Sequence, residues 1–479
     1  MDVETDIDAD VDVEADIDAD ANVEVDVDIE VAVDSYLVGD CPMFLERRGE
    51  ESRKQAGEKI LVGYDLRDTY AQISYMGSTM EEPETAALVT GTELYNIPAV
   101  LCKRYHVNQW YFGKDALKAA EEGAGTLVTD LLPKALEGRM VEVEGENIDP
   151  LALLTLFVRR SLSLLGLVCS PEKIDAIMFT VESLTDDMVR VLGEMSANLG
   201  LKKATAYFQS HMESLYHFTL YQPQDLWLRN VYVCDFDGQT MYHYMMERNL
   251  RTTPTVVLIH RRVTENLVLP EKIAELEQEY VKHRLDEQFL QILQAQLEGH
   301  DVSSAYLLGE GFRNEWMQKS LQYLCRGRRG FLGNNLFSKG ACYSLKDKEI
   351  PNERIKNHVY LGPDKLKANL GMQAIRGRKE VYYALLDAGV NWYDINKTIQ
   401  FYAPVDGNFD LIVTPLDGKN TEIRNIIMDD LPDRPDGTTL LEMTLTMASP
   451  ERFRMTIVDK GFGDLFPASD KCWEYELKL

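Results

Sequence analysis

Residues 58–76 read EKILVGYDLRDTYAQISYM, and this stretch decides the fold. Two apolar runs, Ile60–Asp65 and Tyr70–Met76, flank a polar turn at Arg67-Asp68, which predicts a β-hairpin. The first run ends on an aspartate at the turn, so a carboxylate and a set of backbone amides meet at one point. The same logic recurs in Val233-Cys234-Asp235-Phe236-Asp237-Gly238-Gln239-Thr240 and in Tyr306-Leu307-Leu308-Gly309-Glu310-Gly311-Phe312-Arg313. Turn amides of this kind can cradle phosphate oxygens. Carboxylates at strand ends can hold Mg2+ and orient a water. A single aspartate after an apolar strand is usually a turn residue; three such elements in one order carry more weight.

Outward from the hairpin, the pattern predicts strands near Ala86–Thr90, Ile174–Val181, Val231–Phe236 and Tyr306–Leu308. Helices are predicted over Pro150–Val168, over 271–298 and over Glu315–Cys325. Another is bounded by Thr185 as its cap, Asp186 and Asp187 in its first turn, and Gly200 at its end. After Lys346 the text turns to short strands, Ile399–Ala403, Phe409–Thr414, Leu440–Thr446 and Arg452–Val458. Asp-Gly turns at 406–407, 417–418 and 436–437 break them, the signature of a small antiparallel β-sandwich. Three segments result: an acidic tail and linker over 1–57, an α/β domain over 58–345 and a β-sandwich over 346–479.

The chain has 479 residues, 45% of them hydrophobic, and a net charge of −29. Residues 1–34 hold fifteen acidic and no basic side chains, so half of the net charge belongs to that segment. There acids alternate with Val, Ile and Ala; like-charge repulsion opposes strand pairing, and a disordered tail is the expectation. The negative balance argues against nucleic acid or an anionic membrane as partner. No apolar run approaches membrane-spanning length, and the start MDVETDIDAD has no secretory character, which points to a cytoplasmic protein. Seven scattered cysteines form no C-x-x-C pair, so neither a zinc site nor a disulfide frame is indicated.

The motif order resembles the actin, hexokinase and 70-kDa heat-shock chaperone superfamily, and most the chaperones. Gly63-Tyr64-Asp65-Leu66-Arg67-Asp68-Thr69 resembles their first phosphate hairpin, G-I-D-L-G-T-T, and Asp235–Thr240 their second, D-L-G-G-G-T. Ile97-Pro98-Ala99-Val100, with the Gly113–Ala120 segment, resembles I-P-S-V and its helix. The stretch from Glu213 to Gln222 resembles E-P-T-A-A-A-L-A-Y-G. Leu308–Arg313 and Ser338–Cys342 resemble the adenosine motifs, and two runs after residue 384 resemble the peptide-binding β-domain. The likeness covers about residues 59–465; the chaperone's helical lid has no counterpart.

The resemblance implies a two-lobed actin-like (ribonuclease-H-like) ATPase fold followed by an antiparallel β-sandwich. It also implies ATP or ADP with Mg2+ in the cleft and a protein or peptide at the β-domain. Asp65 and Asp235 would hold Mg2+, and Glu213 would be the catalytic-side glutamate. Gly63, Thr69, Gly238 and Thr240 would line the phosphates; Gly309, Arg313 and Gly340 would frame the nucleoside. Lys134 is the nearest candidate for the lysine that activates hydrolysis.

Several loop glycines are replaced, by Arg67, Asp68, Asp237, Gln239 and Glu310. Glycine permits positive φ and close approach to phosphate, and added carboxylates oppose a polyanion unless metal or Arg67 compensates. Two readings follow: a slow ATPase coupled to a peptide-binding β-domain, or a pseudo-ATPase scaffold for protein interaction. A sugar-kinase-like enzyme is a third, disfavoured by the β-domain. Aromatic clusters at Trp110-Tyr111-Phe112 and Asn391-Trp392-Tyr393 read as packing, and Arg326–Arg329 as a solvated loop.

Overall fold

The hairpin forms where the spacing predicts it. In a computed structural model of the chain, strands Ile60–Leu66 and Tyr70–Gly77 pair antiparallel across the Arg67–Thr69 turn. The structure describes residues 59–478 except 78–79, 90–91, 202, 271–272, 314, 334, 350–352, 377–378, 405–406, 417–419 and 450. The tail and linker over 1–57 therefore lie outside the described residues, as do the Asp-Gly turn at 417–418 and the first residue of that at 406–407.

Two six-stranded sheets frame the α/β part, beside a three-stranded and a two-stranded one within residues 101–148. In the first, Ile60–Leu66 runs parallel to Ile174–Val181, which runs parallel to Thr205–Ser210. In the second, Asn230–Phe236 and Met241–Asn249 form an antiparallel hairpin. Asn230–Phe236 is parallel to Val302–Leu308, and that strand to Arg329–Gly333. Both sheets thus carry the same unit, a hairpin whose first strand is flanked by two successive parallel strands. The first hairpin strands are buried on both faces, so their text is continuous apolar residues, not an alternation. Each has seven residues with its aspartate sixth, Asp65 in one and Asp235 in the other.

A helix follows the last parallel strand of each unit, His211–Tyr221 and Leu336–Glu349, and the two pack against each other. The predicted helix after Thr185 spans Asp186–Asn198; the Thr185 hydroxyl accepts from the Met188 amide at 3.2 Å, and Gly200 takes φ +74°. Helix Pro150–Leu162 is shorter than predicted because the chain tightens into a 3-10 turn at Ser163–Leu167. Glu84–Thr85 is the strand near the predicted Ala86–Thr90, ending before it, and Lys319–Leu324 is shorter than the predicted helix.

The α/β part runs past residue 345. Helix Leu336–Glu349 crosses that point with Leu345 and Asp347 buried, and strand His358–Tyr360 pairs with Thr255–Thr264 in the second sheet. Beyond it come two four-stranded antiparallel sheets. Their inward residues Leu370, Leu411, Leu441, Met443, Phe453 and Ile457 form one core. Among the described residues no helix is long and apolar enough to cross a membrane.

Candidate functional site

Because the two hairpins occupy equivalent places in facing sheets, their turns meet. Between them lies Arg67. Its Nη1 donates to Asp235 Oδ2 at 2.6 Å and its Nε to Asp65 Oδ2 at 3.0 Å. The remaining Asp65 oxygen lies 2.7 Å from His211 Nε2, at the start of helix His211–Tyr221. His211 stacks on Phe337 at 4.3 Å between centroids, and the guanidinium lies over the rings of Tyr70 and Phe337 at 4.9 and 5.2 Å. Burial alone would push the Asp65 carboxyl up; Arg67 and His211 outweigh it and hold it below its usual range. Burial would likewise lower Arg67, but Asp235 and Asp65 raise it well above its ordinary value.

The second turn is closed on itself. Asp237 Oδ1 accepts from the amides of Gln239 and Thr240, both at 2.7 Å, an Asx turn. Two amides that a phosphate would call on are thereby occupied by a side chain of the same loop. Gly238 takes φ +106° in this turn, and its carbonyl accepts from Leu269 N at 2.8 Å. Thr69, in the first turn, accepts the Ala99 amide through its carbonyl at 2.9 Å and lines the cleft.

The third loop is held differently. Glu310 Oε1 accepts from Asn96 Nδ2 at 2.6 Å, and its other oxygen pairs with Arg313 Nε at 2.8 Å. Arg313 is therefore engaged by Glu310 within the same loop. Gly309 takes φ +98°, and a Cβ there would press on the Phe236 carbonyl and lie 2.9 Å from Asp235 Oδ1. Gly63 and Gly340 have packing reasons of their own. A Cβ on Gly63 would fall on the Ser338 carbonyl, and one on Gly340 on the Ser214 carbonyl, so these glycines let helix, strand and helix touch.

Glu213 shares a helix with His211 but faces the other way. Its Oε1 binds Lys365 Nζ at 2.6 Å, in the link to the β-sandwich, with His217 Nε2 at 4.0 Å. Lys134 Nζ turns back to the Thr129 carbonyl at 2.6 Å. The structure thus gathers Asp65, Asp235 and Thr69 at one place and distributes Glu213, Gly340 and Arg313 to others. Among the described residues no group of three or more His, Cys, Asp or Glu is disposed to hold a metal ion.

Beside Arg67 opens a cavity of about 310 Å³. Asp68, Glu182, Asp237 and Tyr242 line it together with Tyr244, Leu132, Leu136 and Met188. Glu182, just past Ile174–Val181, pairs with Arg261 of the second sheet, whose guanidinium lies 4.8 Å over Tyr242. With Arg67–Asp235 and Asn96–Glu310 this makes three polar ties across the cleft. Sequence reading missed His211, Glu182 and Arg261, because nothing near them in the chain marks them; only the sheets bring them together.

A model for a domain of unknown function (DUF8552) matches residues 365–479, the β-sandwich with the last of its link. No curated protein matches the chain. The C-terminal model of a family of unknown function (DUF5716) matches residues 82–363, more than half of the chain, ending three residues past the second sheet's last strand. The chain belongs to that family.

Proposed function

We propose that this protein is a non-catalytic member of the actin-like superfamily, a scaffold whose cleft is tied shut by its own arginine. The observation that carries the reading is Arg67, hydrogen-bonded to both Asp65 and Asp235. The repeated sheet unit, with an aspartate at the same position of each hairpin, supports the actin-like part of the proposal. The β-sandwich, whose sequence resembles the chaperone's peptide-binding domain, supports a protein or peptide partner. Unpaired thiols at Cys102, Cys169, Cys234 and Cys342, all buried, support a reducing, cytoplasmic setting.

Mg2+-ATP fits these residues poorly. A cation between Asp65 and Asp235 must first displace a guanidinium already matched to both. The Gln239 and Thr240 amides are taken by Asp237. Past Arg67 the lining presents Asp68, Glu182 and Asp237, and carboxylates repel a polyphosphate. The alternative, a slow ATPase, requires Arg67 to swing out and the Asx turn to open.

Isothermal titration of the full chain with Mg2+-ATP up to millimolar concentration tests the reading. We expect no saturable heat. Saturable binding to the wild type that Asp65→Ala or Asp235→Ala abolishes would overturn the scaffold and restore the ATPase.

A further inference from the structure

Lysines are rarely buried, yet Lys365 is 4% exposed. Its Nζ donates both to Glu213 Oε1, at 2.6 Å, and to Asn391 Oδ1. The backbone fixes this meeting, because Lys365 and Asn391 stand opposite each other in an antiparallel bridge. On either side Leu366 N donates to the Val390 carbonyl at 2.9 Å and Trp392 N to the Asp364 carbonyl at 3.2 Å. The amide is oriented from its other end: Nδ2 donates to Asp394 Oδ2 at 2.8 Å, and a carboxylate can only accept. Oδ1 thus faces the lysine, with Cγ one bond of about 1.2 Å behind it, so amine and amide carbon are within reach of each other. Burial alone would push the Glu213 carboxyl up; Lys365 and His217 outweigh it and hold it below its usual range, the ionised form that can take a proton. Glu213 Oε2 is buried with no hydrogen-bond partner among the described residues, and a role in proton transfer accounts for an acceptor left open.

We propose that Lys365 and Asn391 join in an intramolecular isopeptide bond, Nζ to Cγ, with Glu213 as the base. Glu213 takes one proton from the Lys365 ammonium, and the freed lone pair adds to Asn391 Cγ to form the C–N bond. A second proton from Nζ and the one held by Glu213 pass to Nδ2. The Cγ–Nδ2 bond breaks, the nitrogen leaves as ammonium, and Glu213 is a carboxylate again. No other reactant is consumed. Amines do not attack amides at useful rates in water; fixing the two groups together supplies an effective concentration of about 10⁵ M or more. Glu213, Lys365 and Asn391 line one cavity of about 480 Å³ with Asp394, which gives the ammonium a way out past a carboxylate. The base comes from helix His211–Tyr221, and the two partners from the β-sandwich and its link. The bond therefore forms only when the two parts are docked, and it then pins the Asn391 turn to the link, whatever the cleft binds.

The test is intact-mass spectrometry of the purified full chain, denatured, together with sequencing of its protease digest. The wild type is expected to weigh about 17 Da less than its sequence, the mass of one ammonia. Its digest should contain one branched peptide that joins the Lys365 and Asn391 segments. Asn391→Ala and Glu213→Gln, the second of which keeps the size of the side chain, should both show the full sequence mass and no branched peptide. A wild type that stays at full mass after prolonged incubation at neutral pH overturns the proposal, and that reading needs no variant to fold. A loss of ammonia that survives Asn391→Ala, or a branched peptide that Glu213→Gln forms as readily, overturns it as well.

Discussion

The Arg67 side chain is 15% exposed between carboxylates that are 0% and 4% exposed. Removing one member of a buried charge cluster leaves the others desolvated and unpaired, at a cost of about 3–5 kcal/mol. Arg67→Ala should therefore destabilise the α/β part by that order, read as a lower urea midpoint at unchanged slope. Arg67→Lys should recover little, because one ammonium cannot form the two directed bonds that reach Asp65 and Asp235. A loss below about 1 kcal/mol for the alanine variant would mean that the bridge is not structural. The sequence showed that Arg67 was the available counter-charge. It could not show that both aspartates lie within its reach, since Asp235 is 168 residues away.

Among elements, the strand Ile60–Leu66 meets helix Leu336–Glu349 closely at Gly63, and that helix meets His211–Tyr221 closely at Gly340. Gly63 lies in an ordinary extended strand, so its need is for space and not for unusual dihedrals. Gly63→Ala should overpack the strand against the Ser338 carbonyl and cost about 1–3 kcal/mol, visible as a lower Tm without any ligand present. If the substitution is neutral until nucleotide is added, the glycine serves a ligand after all. The hairpin, the capped helix and the sandwich strands were legible because their periods and caps are local. The strand at His358–Tyr360 was not, because three residues carry no period and its place comes from pairing with Thr255–Thr264.

At the scale of the whole molecule, the link between the two parts holds a buried charge cluster. Lys365 binds Glu213, Asp347 pairs with His217 Nδ1 at 2.7 Å, and Asp364 is 4% exposed with both oxygens lacking a partner. Tyr360 and Tyr393 also face Asp364. Burial first, then the Glu213 charge, raises the Asp364 carboxyl to about 6. A carboxyl raised above its unfolded value contributes stability in full below that value and loses it as pH rises through about 6. Taking the wild type from pH 7 to pH 5 should thus strengthen folding relative to Asp364→Asn, on the order of 1–2 kcal/mol over that window. Urea midpoints of the two proteins at both pH values give the difference. A parallel pH response in both would remove Asp364 as its source.

The amino-acid sequence by itself determined the hairpins, the order of the aspartate-ended strands and the β-rich C-terminal part. Those properties depend on neighbours within a few positions, and local periodicity records them. Only the tertiary structure decided what the first hairpin's aspartate does. The resemblance implies a metal ligand at Asp65; in the structure Asp65 Oδ2 accepts from Arg67 Nε and Oδ1 lies against His211. The reason is that Arg67, His211 and Asp235 come from three separate stretches, and pairing of charges across sheets follows from where the backbone puts them in space.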